Sequence, residues 1–102
     1  MRLDFEFHPA AEEELAESSD YYFTVGPRFD GEFLDIAYRA IEHICKNPKS
    51  CELVIDGVRR KVLSKYPYSI FYLETRNMIQ IIAVAHHKRH AVNGLSSREG
   101  DA

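Results

Sequence analysis

The chain alternates polar and apolar residues only briefly at its start. "DFEFH", Asp4 to His8, puts Phe5 and Phe7 on one side and predicts a short strand. Pro9 suits a first helical position, where its missing N–H costs nothing. Glu12, Glu13 and Glu14 follow in a first turn, where the helix dipole favours carboxylates. Ala11, Leu15, Ser18 and Tyr22 then recur at helical spacing, giving one modest apolar stripe. "TVGPRF" ends this helix: Gly26 can take the left-handed conformation past a helix end, and Pro27 can open the next. The second helix has a wide apolar face of Phe29, Phe33, Ile36, Ala37, Ala40, Ile41 and Ile44. Asp35, Arg39, Glu42 and Lys46 point away from it, and Asn47-Pro48 closes it. So short a junction predicts an antiparallel helical hairpin.

From Asp56-Gly57 onward the period becomes that of strands. "VRRKVL" (Val58 to Leu63), "YSIFYLE" (Tyr68 to Glu74) and "MIQIIAVAH" (Met78 to His86) are separated by turns at Tyr66-Pro67 and Thr75-Arg76-Asn77. The last of them is apolar on both sides, as a central strand would be. Short connections favour an antiparallel meander. The expected fold is therefore α+β: an N-terminal strand, an antiparallel helical hairpin, then a three-strand antiparallel meander in one twisted sheet, with the hairpin on one face. Phe5, Phe7, Phe29, Phe33, Ile36, Ile44, Ile70, Tyr72, Ile79 and Ile81 are its expected core. The pattern leaves open which strand the first one pairs with. Residues 1–92 read as a single domain, and 93–102, "NGLSSREGDA", as a flexible polar tail.

At 102 residues, 45% hydrophobic and 28% charged, the composition is that of one globular domain. The longest apolar run, Met78 to Ala85, falls short of the ~20 residues that cross a bilayer. Asp4 and Glu6 stand where a signal peptide would be apolar, so the expected compartment is the cytoplasm. Cys45 and Cys51 form no CxxC pair and have no second pair to complete a zinc site, so they read as free thiols.

The net charge of -3 hides a segregation. From Asp4 to Asp35 the charged residues are acidic except Arg28. Between Arg59 and His90 the basic residues Arg59, Arg60, Lys61, Lys65, Arg76, Lys88 and Arg89 face only Glu74. Such asymmetry fits a polyanionic or acidic partner, and equally a solvated basic face. No phosphate-cradling glycine loop or nucleophile elbow occurs. Glu12, Glu13 and Glu14 are adjacent and so spread around their helix instead of facing one another.

The segment "AVAHHKRH", Ala83 to His90, runs from apolar strand into cations. His86, His87 and His90 are candidate zinc ligands, but Lys88 and Arg89 between them raise the cost of placing a cation there. A histidine here can equally act as a general acid or base, or sit in the core with a satisfied hydrogen bond. Arg59 and Lys61 share one face of their strand and Arg60 the other. If the two basic strands are neighbours, Arg59, Lys61, Lys88 and Arg89 form a positive rim able to hold phosphates or an acidic peptide. The alternative is dispersed surface charge.

"FHPAAEEELAESSDYYFTVGPRFDGEFLDIAYRAIEHICKNP", "VRRKVLSKYPYSIFYLE" and "MIQIIAVAHHKRH" together resemble the RelE/ParE superfamily of bacterial type II toxins, over Phe5 to His90. The elements that carry the resemblance are Tyr21-Tyr22, Phe33, Asn47-Pro48, the Arg59-Arg60 strand, Pro67-Tyr68 before "SIFY", and the final Val-x-His followed by basic residues. The resemblance implies a small antiparallel sheet with a helical hairpin. It also implies one of two activities. RelE-like members cleave messenger RNA in the ribosome with basic residues and often a late tyrosine, whereas ParE-like members poison DNA gyrase and are not nucleases. Both are neutralised by a cognate antitoxin, often with a DNA-binding segment, whose C-terminal part folds over the toxin in a hetero-oligomer.

Carried over, Arg59 to Lys61 match the basic strand and Arg89 the late arginine. Ser69 stands where the RelE pattern has an arginine, and no tyrosine follows Tyr72, with Leu95 near the expected place. The double tyrosine and "PYSIFY" look ParE-like. The resemblance therefore implies a ParE-like gyrase inhibitor with no metal or cofactor. Its target contacts would be Arg59, Lys61, Lys88 and Arg89, and its antitoxin contacts Tyr21, Tyr22 and Phe29. The alternatives are a ribosome-dependent endoribonuclease using Arg59, Lys61, His87 and Arg89, and an inactive relative that keeps only antitoxin binding.

Overall fold

The structure, a computed structural model, describes residues 2–88. Its elements are β1 (Asp4–Phe7), α1 (Pro9–Val25), α2 (Phe29–Lys46), β2 (Glu52–Ile55), β3 (Val58–Val62), β4 (Tyr68–Thr75) and β5 (Met78–His86). Five strands form one sheet in the order β1-β5-β4-β3-β2. The N-terminal strand, whose partner the pattern left open, lies parallel to β5, with Phe5 beside Ile79 and Phe7 beside Ile81. The other neighbours are antiparallel.

The helical hairpin forms as its periodicity predicts. Pro9 is the first residue of α1, and the His8 ring caps it by accepting from the Ala10 N–H at 3.0 Å. Ala11, Leu15 and Ser18 are its buried stripe. The junction differs from expectation in two details: α2 opens at Phe29 and not at Pro27, which lies in the turn before it, and the left-handed residue is not Gly26. Gly26 is extended, and Arg28 takes the left-handed conformation at φ 80°. Gly26 is instead close-packed: a Cβ there would lie 3.0 Å from the Phe29 ring, which would have to shift. Phe29 also leaves the expected core. It begins α2 at the tip of the hairpin and is 45% exposed.

The meander has four strands, one more than expected, because β2 precedes Asp56-Gly57. These two residues have φ of 40° and 81°, so they make the two-residue turn whose twist matches a hairpin. Arg76 and Asn77, at φ 47° and 67°, do the same between β4 and β5. Strands β4 and β5 form the centre. Tyr68, Ile70 and Tyr72 from β4, with Ile79, Ile81 and Val84 from β5, pack against Leu15, Phe33, Ala37, Ile41 and Ile44 of the helices.

A bulge in β5 sets the geometry of its far end. Tyr72 pairs with Ile81 and Phe71 with Ala83, so Ile82 is an extra residue. Ile82, Ala83 and Ala85 consequently join Val58 and Phe71 in a second cluster on the opposite face of the sheet, while Val84 returns to the helix side. That cluster draws only on strand residues, so among the described residues no helix packs on this face.

Candidate functional site

Strand β4 lies between β3 and β5, so the two basic strands are not neighbours and the condition for a shared rim is not met. Arg59 is level with Tyr72, and through it with Ile81, well short of the β5 terminus at His86. Its Nη1 donates to the Cys51 carbonyl at 2.6 Å and reaches the Lys49 carbonyl at 3.4 Å. Arg59 thus ties the entry of the edge strand to the sheet. Lys61 shares the helix-side face and lines a groove of about 300 Å³ with Ile36, Arg39, Ala40 and His43. Lys88 follows β5, where its backbone N–H donates to His86 Nδ1 at 3.1 Å. Arg89 and His90, with the tail at 93–102, lie outside the described residues.

The adjacent histidines diverge, as strand geometry requires. His86 turns to the helix side, its ring centroid 5.2 Å from that of Tyr68. His87 turns to the opposite face and meets Ser69 Oγ at 3.0 Å through Nε2. There it joins Arg60, which points away from Arg59 and Lys61 as alternation dictates. Sequence reasoning passed over Arg60 and Ser69 as site residues. The signal was available only in part, since alternation places Arg60 on this face but the register that brings Ser69 and His87 beside it is tertiary.

A second surface lies at the hairpin. Tyr21, Val25 and Phe29 are 57%, 53% and 45% exposed; Tyr21 and Val25 share one flank of α1, whereas Phe23, 65% exposed, points to the other flank. Tyr21 and Phe29 were expected at a partner surface, and Phe23 and Val25 were not singled out. Tyr22 behaves differently. Its ring sits 4.7 Å from Tyr66 and 5.1 Å from Phe33, so it anchors the hairpin to the sheet. A shallow depression of about 330 Å³ between Tyr22, Val25, Phe29, Glu32, Lys65 and Tyr66 continues this surface.

The rim of that depression is fixed by polar contacts. The Tyr66 hydroxyl donates to Glu32 Oε1 at 2.7 Å, and Lys65 Nζ lies 3.1 Å from Oε2. The Tyr66 hydrogen bond first, and Lys65 after it, hold the Glu32 carboxyl below its ordinary range. Burial, then Glu32, pushes the Tyr66 phenol up to about 12. Among the described residues no group of His, Cys, Asp and Glu is arranged to hold a metal ion. No described helix is long and apolar enough to cross a membrane.

The chain is similar to known proteins on two counts. The family model described as the ParE toxin of the type II toxin-antitoxin system, parDE, matches residues 5–91. A solved structure titled as the chromosomal ParDE TA system from P. aeruginosa superimposes with a TM-score of 0.73 at 17% identity, over 83% of this chain and 96% of that one. No curated protein gives a significant match. A hairpin packed on one face of a mostly antiparallel sheet, matched by the family model over nearly its whole length, places this chain in the ParE toxin family of type II toxin-antitoxin systems.

Proposed function

We propose that this toxin inhibits DNA gyrase through a binding surface, acts in the cytoplasm, and is held inactive by a cognate antitoxin seated on the exposed aromatic face of the hairpin. The observation that carries the reading is the scattering of the residues a nuclease would need. Arg59 is committed to backbone carbonyls, Lys61 lies on the helix side, and His87 lies on the opposite face with Ser69. General acid–base catalysis needs its groups within hydrogen-bond reach of one reacting centre. Separation by the thickness of a sheet supports a binding function over cleavage.

Lys61 and Lys88, with Arg89 beyond the described residues, are the target contacts in this reading. The antitoxin contacts are Tyr21 and Phe29, reinforced by Val25, with Tyr22 buttressing them from beneath. Apolar aromatic anchors are the side chains that dominate protein interfaces. The membership of the P. aeruginosa relative in a ParDE toxin-antitoxin system supports a partner of this kind.

Expression without the antitoxin, with DNA supercoiling and message integrity followed in parallel, tests the reading. Loss of supercoiling with intact messages is the expected result. Message cleavage at codon-defined positions would overturn it in favour of the ribosome-dependent alternative, and absence of any effect would favour an inactive relative.

A further inference from the structure

Three polar side chains from separate stretches of the chain meet on the face of the sheet opposite the helices. Arg60 of β3, Ser69 of β4 and His87 just past β5 line one cavity of about 320 Å³, walled by Val62, Phe71 and Ala85. The register accounts for the meeting: Arg60 is opposite Phe71, Val62 opposite Ser69, and Ser69 opposite Ala85. Ser69 is 2% exposed, and its hydroxyl is 3.0 Å from His87 Nε2. One terminal nitrogen of Arg60 pairs with Glu52, which faces it from β2. Its Nε is buried and meets no acceptor among the described residues.

Arg60 Nε–H is a buried donor without an acceptor, and the Ser69 hydroxyl and His87 imidazole, which bond to one another, line the same cavity as further groups able to turn a donor toward an anion. We infer that Arg60, Ser69 and His87 form an oxyanion site that takes a phosphate group, whether free, on a nucleotide, or in a nucleic-acid backbone. This goes beyond the toxin reading and does not depend on it. A planar carboxylate is satisfied by one guanidinium fork, whereas groups arriving from β3, β4 and the segment just past β5 suit the several oxygens of a tetrahedral phosphate. The apolar walls lower the local dielectric and strengthen charge-assisted hydrogen bonds. The volume lies at the small end of ligand pockets, enough for a phosphate and part of a nucleoside. Glu52 is the built-in competitor. It neutralises Arg60 in the absence of phosphate and opposes an incoming anion.

The test is titration of the purified full-length chain with inorganic phosphate, adenosine 5′-monophosphate and a short single-stranded oligonucleotide, followed by NMR at the His87 ring and Arg60 Nε. Saturable shifts at both groups are expected. Arg60→Gln and His87→Ala should each weaken binding about tenfold or more, and Glu52→Gln should tighten it about threefold. Tightening by Glu52→Gln is an outcome a merely structural Arg60–Glu52 pair would not produce. Tighter, salt-dependent binding of the oligonucleotide would identify nucleic acid as the source, and equal binding of the monophosphate a free ligand.

Absence of saturable shifts with all three probes overturns the inference, as does affinity unchanged in both Arg60→Gln and His87→Ala. Displacement of phosphate by hexaglutamate at equal concentration overturns it too, because the site would then be a general acidic-peptide dock. Should Arg60→Gln fail to fold by circular dichroism, Ser69→Ala takes its place, and unchanged affinity in that variant and in His87→Ala is equally fatal.

Discussion

Glu14, in the second turn of α1, accepts a hydrogen bond through Oε1 from the backbone N–H of Val84 at 3.0 Å. Strand β1 covers the edge of β5 only from Met78 to Ile81, with His8 N–H adding a bond to the Ile81 carbonyl. Beyond that point a side chain of the helix takes over a strand's role. Glu14→Ala leaves the Val84 N–H buried without this acceptor and should cost about 1–3 kcal/mol. Glu14→Gln keeps an acceptor oxygen and should cost less than half as much. Chemical denaturation of the two variants measures the difference.

Arg59 and Lys61 share a face but should respond differently to truncation. Arg59→Ala removes a charge-assisted bond to the Cys51 carbonyl that holds the entry to β2, at an expected ~1.5–3 kcal/mol. Lys61→Ala should leave the thermal midpoint nearly unchanged and weaken inhibition of purified gyrase. The comparison is read by supercoiling assays at equal concentrations of folded protein.

The Tyr66–Glu32–Lys65 contact should bend the stability profile at both ends of the pH scale. Glu32 is held below its ordinary 4.5, so its stabilisation is present above that value and is lost as pH falls through the lower folded value. Tyr66 is raised from 10 to about 12, so its contribution is full below pH 10 and is lost as pH rises toward 12. Tyr66→Phe should flatten both flanks of a plot of thermal midpoint against pH. A profile parallel to that of the unaltered protein would refute the coupling.

The hairpin surface gives a prediction without a stability cost. Tyr21 is 57% exposed, so Tyr21→Ala should fold normally, yet it should weaken antitoxin binding about thirtyfold. Isothermal titration with the purified antitoxin decides this. Tyr22→Ala would lower stability as well, because its ring packs on Phe33, Tyr66 and Tyr68.

Local pattern was enough to reveal the hairpin and the three strands β3, β4 and β5. The apolar positions of α1 and α2, the breaks at Gly26-Pro27 and Asn47-Pro48, and the opposite facing of Arg59 and Arg60 all follow from period and turn chemistry. Strand β2 was legible in principle, because Asp56-Gly57 is a strong hairpin signal and "ELVI" before it supplies the second strand. It is short and half exposed, and so carries little alternation of its own.

The pairing of β1 with β5 and the bulge at Ile82 are absent from any local window, whereas the place of β4 between the two basic strands already follows from the meander. Helical and strand periods are set by neighbouring residues along the chain, which the amino-acid order states directly. Strand order and register depend on which apolar faces bury together across some seventy positions, as with Phe5 and Ile79. That choice belongs to the whole packed molecule, and it brings Arg60, Ser69 and His87 to one cavity, while strand alternation by itself turns Arg59 to the other face.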